Sequence, residues 1–344
     1  MTTEDRQGLF LRTFRGRPYL RALRYLIQWG VVIIVIYGGM SLYGFLKYIQ
    51  AGKPPLIEKP LSVEGFMPIG AFMALKLWIT EGLFDPVHPA ALVIFISALL
   101  TALFLKKGFC GWICPVGTIS ELAYKAGKGI FGRNFSLPKY IDYPLRSIKY
   151  LLMAFFFYVI LIKMSPESIR AFLFTPYWMV ADLKLLIFFT AMSVTTLTVL
   201  MVLLFSSLLV KNFWCRYLCP YGALLGLLSI LSPVKVTRDP LRCIHCHRCT
   251  RSCPALLPVE DRQRISSPEC TGCLTCVSLC PAQGALDLAL PGKRWLNPAI
   301  YILLIITLFW GGIMTAKAAG YWKSNVTYEQ YGKIVPHLKE LEHP

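Results

Sequence analysis

Residues 105–122 read LKKGFCGWICPVGTISEL, and residues 210–227 read VKNFWCRYLCPYGALLGL. Both place C-x3-C-P-x-G at the same point, at an offset of 105 residues. Each follows a long run without Lys, Arg, Asp or Glu, at 86–105 and at 185–210. About 20 apolar residues suffice to cross a bilayer. Each stretch therefore reads as a membrane helix that ends in a pair of cysteines. Runs at 25–46 and 295–316 are also free of charge. A shorter run, 150–162, lies between Lys149 and Lys163, whose long stems can reach the interfaces. The expectation is a mostly α, polytopic membrane protein with five transmembrane helices. Composition agrees, since 56% of the 344 residues are hydrophobic and only 16% are charged.

The net charge of +18 flanks the apolar runs and does not build a basic domain, which argues against nucleic acid as a partner. Segments 1–24, 106–149 and 211–294 carry six, eight and eleven Lys/Arg. Segments 51–88, 163–184 and 317–344 carry three, three and four. That alternation predicts a bacterial inner-membrane protein with a cytoplasmic N-terminus and a periplasmic C-terminus. The Arg-rich start, Arg6 to Arg24, reads as the flank of an uncleaved anchor. All twelve cysteines then face a reducing compartment, where metal ligation is a better default than disulfides.

The two cysteine-bearing units each hold a short apolar stretch as well, 65–75 and 171–181, too brief to span. Two units in one orientation predict an internal parallel repeat. The organisation expected is a cytoplasmic segment 1–24, a first membrane repeat 25–122 and a second 123–233. A cytoplasmic domain 234–294, a fifth helix 295–316 and a periplasmic tail 317–344 follow. The tail's aromatics, in GYWKSNVTYEQYGKIVPH at 320–337, suit either a partner or packing on the outer loops.

Residues 243–254 and 270–281 repeat C-x2-C-x2-C-x3-C-P. This is the bacterial ferredoxin run, in which the fourth cysteine serves the other cluster. One [4Fe–4S] cluster is therefore assigned to Cys243, Cys246, Cys249 and Cys280, and a second to Cys270, Cys273, Cys276 and Cys253. The domain is an inserted 2[4Fe–4S] ferredoxin-like module. CIHCH at 243–247 also fits a c-type haem motif, but haem attachment would consume two ligands of the run. His245 and His247 are then solvent-facing loop residues. Arg242, Arg248, Arg251, Arg262 and Arg264 line the module, as a solvated face or as steering for an acidic partner.

Cys110 and Cys114, with Cys215 and Cys219, form a separate set. If helix runs to each proline, the members of a pair share a face. Four thiolates there suit a third iron–sulfur cluster, a copper or other soft-metal site, a dithiol redox pair, or buried structural cysteines. Lys106, Lys107, Lys211 and Arg216 lie nearby in sequence and could offset the charge of such a site.

FCGWICPVGT at 109–118, WCRYLCPYGAL at 214–224 and the two ferredoxin runs resemble the NapH/NosR/CcoG family of polyferredoxin-like membrane proteins. The resemblance covers roughly residues 25 to 318, and looks most like the NapH-like ferredoxin-type quinol dehydrogenase subunits. It implies electron exchange between quinone and a periplasmic or membrane redox partner, such as a cytochrome c or a ferredoxin-like subunit. The sequence departs from the NosR kind in having no motif for covalent flavin, and from the CcoG kind in having no immunoglobulin-like segment. A quinone site needs a proton-handling group, and Glu64, Glu81, Asp85, His88 and Asp182 are the candidates. The competing expectation is a copper-reducing assembly factor for a respiratory enzyme.

Overall fold

Proline sets where many of the helices begin. Its ring fixes φ near the helical value, and its missing N–H costs nothing in the first turn. Helices Pro68–Glu81, Pro115–Phe131, Pro166–Leu173, Pro176–Met179 and Pro220–Leu231 carry it there. Side chains close two of these starts. Ser165 Oγ accepts the Ser168 N–H, and Thr175 Oγ1 accepts that of Trp178, both at 3.2 Å. The computed structural model describes residues 17–53, 58–338, 340 and 341.

Among the described residues, three helices are long and apolar enough to cross a membrane: Pro18–Gln50, Lys139–Lys163 and Pro298–Ala318. They take in the runs at 25–46 and 150–162 and most of that at 295–316. The run 185–210 departs from the single span expected. It forms Ala181–Thr190 and Val194–Leu209, bent by 77°. Ser193 is the cause, because its Oγ accepts the Thr196 N–H at 3.1 Å and caps a new helix. The run 86–105 also departs, as the 16-residue helix Pro89–Phe104. At 1.5 Å per residue this is about 24 Å, short of a hydrocarbon core of ~30 Å. Asp85 delays its start by accepting the N–H groups of Val87 and His88 at 2.8 and 3.1 Å. Lys106, at φ 59°, follows its end. Against five spans expected, the described residues hold three helices that meet the length and apolarity needed, or four with the bent pair counted as one. Apolar side chains such as Ile33, Leu151, Val194 and Leu303 stand exposed along these helices, a surface suited to lipid.

The chain divides into two compact units. The first holds the described parts of Met1–Val31 with Leu99–Tyr150 and Leu204–Leu308. Its strands β1 (Lys235–Arg238), β2 (Leu286–Ala289) and β3 (Trp295–Leu296) form an antiparallel sheet in the order β1-β2-β3. Val236 pairs with Leu288 and both are buried. Between β1 and β2 the short helices Arg248–Ser252 and Thr275–Leu279 pack together.

The second unit holds the described parts of Val32–Ala98, Leu151–Leu203 and Phe309–Pro344. Helix Pro68–Glu81 packs on Pro166–Leu173 around Met73, Leu77, Leu92, Ile169, Leu173 and Trp178. The tail helix Tyr328–Ile334 opens with a capping box, Thr327 with Gln330. It seats Tyr331 and Val335 against Leu42, Phe45 and Leu183, so this part of the tail is packed.

Candidate metal centre

The crossing of the two short helices sorts the ferredoxin cysteines. Cys243, Cys246, Cys249 and Cys280 line one cavity. Cys253, Cys270, Cys273 and Cys276 line another, walled by Val236, Leu257, Ile265 and Leu274. The loops that carry them are bent by left-handed residues at matching positions: His245 and His247 in one half, Gly272 and Leu274 in the other. A non-glycine residue there costs roughly 1–2 kcal/mol. The return is a backbone whose N–H groups turn inward, an anion cradle used at iron–sulfur sites. Those of Ala255 and Leu257 reach Cys253, and that of Gly272 reaches Cys270. Both histidines are exposed, and His247 Nδ1 pairs with Glu260 Oε1 at 2.5 Å. Burial, helped by the neighbouring Cys273, pushes the Cys253 thiol up to about 12. A coordinating metal deprotonates a thiol outright. These donor sets therefore fit a metal cluster better than free thiols.

The other four cysteines sit on two copies of one local structure. Phe109–Ile113 and Trp214–Leu218 are π-helical turns. Cys114 and Cys219 then leave the helix in extended conformation, and Pro115 and Pro220 start the next one. A residue before proline is driven from helix to β, so the members of a pair do not share a continuous helix. The four thiols nevertheless converge, since Cys215 lies within electrostatic reach of Cys219, Cys114 and Cys110. The N–H groups of Val116 and Gly117 reach Cys114, and that of Gly222 reaches Cys219 Sγ at 3.2 Å. Tyr221, half-buried, lies within electrostatic reach of Cys110, Cys114 and Cys219.

Of the four cations named beside this set, Lys107 is the one that faces it. Burial alone would discharge Lys107, but Cys110, Glu269, Cys219 and Cys215 raise its ammonium above the usual lysine value. Lys106 turns to the other site, reaching the Ser267 carbonyl at 3.4 Å and interacting with Cys270. Lys211 donates to the Arg251 carbonyl at 3.2 Å. Arg216 is taken by Asp142, with two bonds of 3.0 Å, and by the Ala255 carbonyl. Sequence alone did not reveal Lys149 and Glu269. The Lys149 ammonium donates to both Glu269 oxygens, at 2.6 and 2.7 Å, next to Cys270.

Spacing discriminates among metal types. Zinc–thiolate bonds of about 2.3 Å put two sulfurs on one ion no more than about 4.6 Å apart. Among the described residues, the trio whose ligand atoms all lie within 4.8 Å is Glu64, His88 and Asp182. Among the described residues no three cysteine sulfurs lie that close, as a polynuclear cluster requires. The four-thiol set also abuts the ferredoxin module. A Cβ on Gly111 would lie 2.6 Å from the Thr271 carbonyl oxygen, so only glycine lets these backbones touch. Trp112 Nε1 donates to the Gly272 carbonyl at 3.0 Å. Cys276, in turn, interacts with Cys249 of the remaining set. The three thiol sets thus follow one another in series.

In the second unit Glu64, Asp85, His88 and Asp182 come together, all buried. His88 Nδ1 lies 2.9 Å from Glu64 Oε1, and Nε2 donates to the Trp178 carbonyl at 2.7 Å. Asp85 Oδ2 accepts from Trp178 Nε1 at 3.3 Å. The Lys59 ammonium lies 2.8 Å from Asp182 Oδ2 and 3.5 Å from Glu64 Oε1, where a bound cation would sit. Lys59 also donates to Tyr331 Oη at 3.0 Å. Glu81 stands apart, paired with Arg170. Trp178 also walls a groove of about 710 Å³ with Met67, Met73, Phe172 and Tyr177. The module's arginines, Arg242, Arg248, Arg251, Arg262 and Arg264, are all exposed.

Comparison with known proteins agrees with this chemistry. A 4Fe-4S binding domain family matches residues 87–138 and 192–238, which contain both C-x3-C-P pairs. A 4Fe-4S dicluster domain family matches 235–281. YccM of Escherichia coli, by name an electron transport protein, is 38% identical over 90% of this chain and 88% of its own length. The ferredoxin-type protein NapH of Escherichia coli is 29% identical over 56% of this chain and 66% of NapH. NirI of Paracoccus denitrificans is 30% identical over 55% of this chain and 27% of NirI. The chain belongs to the NapH/NosR family of ferredoxin-type membrane proteins. As a member of the NapH/NosR family it is an iron–sulfur electron-transport protein. No solved structure matches it.

Proposed function

We propose that this protein exchanges electrons between the quinone pool and a respiratory redox partner, such as a cytochrome c or a ferredoxin-like subunit. In this reading two [4Fe–4S] clusters bind the ferredoxin cysteines, as Cys243, Cys246, Cys249 and Cys280 and as Cys253, Cys270, Cys273 and Cys276. A third binds Cys110, Cys114, Cys215 and Cys219. Clusters supply one-electron chemistry, and the protein supplies position and charge. The observation that carries the reading is the contact of Gly111 and Trp112 with the Thr271–Cys273 backbone, which sets thiol set against thiol set. The spread of the sulfurs disfavours a single copper ion held by three or four of them.

The groove beside Trp178 is the quinone site of this reading. It is concave and mostly apolar, with few polar groups close by. Quinol oxidation releases protons, and the Glu64–His88 pair is the group to take one. The Trp178 carbonyl can only accept, so His88 Nε2 carries hydrogen. The proton taken up is the one then held between His88 Nδ1 and Glu64 Oε1. The Lys/Arg bias favours thiol sets on the cytoplasmic face and a tail in the periplasm. The two C-x3-C-P units are read as a parallel repeat.

Iron and acid-labile sulfide per chain, with paramagnetic resonance, test the ligand assignment. Wild type should hold about twelve irons, and Cys110→Ser about eight, by counting four per cubane. An unchanged iron content in Cys110→Ser would remove the third site from the proposal.

A further inference from the structure

Helix Pro18–Gln50 sends one buried guanidinium between two of the thiol sets. Arg24 is 6% exposed. Its Nε donates to the Gly111 carbonyl at 3.0 Å, inside the loop that joins Cys110 to Cys114. Its Nη1 donates to Thr275 Oγ1 at 2.9 Å. That hydroxyl lies 3.3 Å from Cys273 Sγ. Because Thr275 Oγ1 accepts from Arg24, its own hydrogen is free to point at the sulfur. The third arm, Nη2, pairs with Glu121 Oε2, and Glu121 Oε1 is shared with Lys125. Gln28 Nε2 adds a second donor to the Gly111 carbonyl, at 3.2 Å.

Burying such a pair is expensive, at several kcal/mol per ion, and apolar residues of like size often pack as well. A clamp alone does not need a charge here. A redox site does. Adding an electron to a cluster makes it more negative, so a fixed positive charge nearby favours the reduced form. Hydrogen bonds to the sulfurs act in the same sense.

We propose that Arg24 and Glu121 form a tuning pair shared by two adjacent redox sites. Arg24 raises the reduction potential at the set Cys253, Cys270, Cys273 and Cys276 and at the set Cys110, Cys114, Cys215 and Cys219. Glu121 holds the guanidinium in place and offsets part of its charge. Thr275 passes the effect to the first of these sets through its bond to Cys273. The inference rests on the cluster assignment above. Arg24 is a positioning residue, because it touches the ligand loops and not the clusters.

The test is a potentiometric titration of purified full-length protein, followed by paramagnetic resonance, after iron and sulfide have been counted in each variant. Arg24→Gln should lower the potentials of the two adjacent sites. A tenfold fall in the ratio of reduced to oxidised sites corresponds to 59 mV for a one-electron couple. The site on Cys243, Cys246, Cys249 and Cys280 should keep its potential. Arg24→Lys should restore most of the shift. Glu121→Gln should shift the same two sites upward, and Thr275→Val should lower only the site of Cys273. If Arg24→Gln loses iron, Glu121→Gln and Thr275→Val carry the test. Shifts of the same sign from Arg24→Gln and Glu121→Gln, or unmoved potentials in variants with full iron, overturn the tuning pair. Wild type without iron would instead defeat the cluster assignment.

Discussion

Gly70 shows how little room a single residue has beside the buried carboxylates. A Cβ there would lie 2.0 Å from the Trp178 ring. The ring is held by its bond to Asp85 and by an edge-on contact with His88, so it cannot swing away freely. Gly70→Ala should therefore destabilise the protein by about 1–3 kcal/mol, the usual cost of overpacking. Thermal unfolding in detergent would show it, and an unchanged midpoint would mean that the ring is loosely held. At this scale the cysteines were legible in the sequence because their spacing is their chemistry. Arg24 and Glu121 were not, since 97 residues separate them and each looks like an ordinary flanking charge. Lys106 and Lys107 are neighbours in sequence, yet they serve different thiol sets. Only the left-handed backbone at Lys106 parts them, and no residue type announces it.

At the scale of elements, the decisive unit is the π-helical turn that ends at a cysteine before proline. Pro115 keeps Cys114 out of the helix that precedes it. Pro115→Ala removes that restraint and lets helix continue through Cys114, which would re-aim its sulfur and withdraw it from the N–H groups of Val116 and Gly117. Iron should fall from about twelve to about eight per chain, the ferredoxin sets keeping about four each. Retention of full iron would show that the turn is held by its neighbours and not by proline. The same scale explains the helix count. Hydropathy registers charge and apolarity, and Ser193 changes neither enough to be noticed. Yet its hydroxyl divides 185–210 by capping a new helix. Asp85 shortens 86–105 in the same way, by spending its carboxylate on two N–H groups ahead of Pro89.

For the whole molecule, the count of crossings fixes where the ends lie. Among the described residues, three long helices, the bent pair and the short helix Pro89–Phe104 make five only if both irregular elements cross. The Lys/Arg bias calls for an odd count. A reporter active only in the periplasm, fused after Pro344, should be active, and one fused at the N-terminus silent. Activity at neither end would reduce the crossings to four.

Trp112 bears on how electrons travel. It is one of several ties that fix the ferredoxin module, among them Arg24 to Thr275, Lys149 to Glu269 and Arg216 to the Ala255 carbonyl. These are buried or nearly so, and they arrive from different helices. A module bound on so many sides has no hinge of its own. It cannot act as a swinging arm that loads at one station and discharges at another. Delivery must rely on fixed distances, and any moving carrier must be a separate molecule that comes to it.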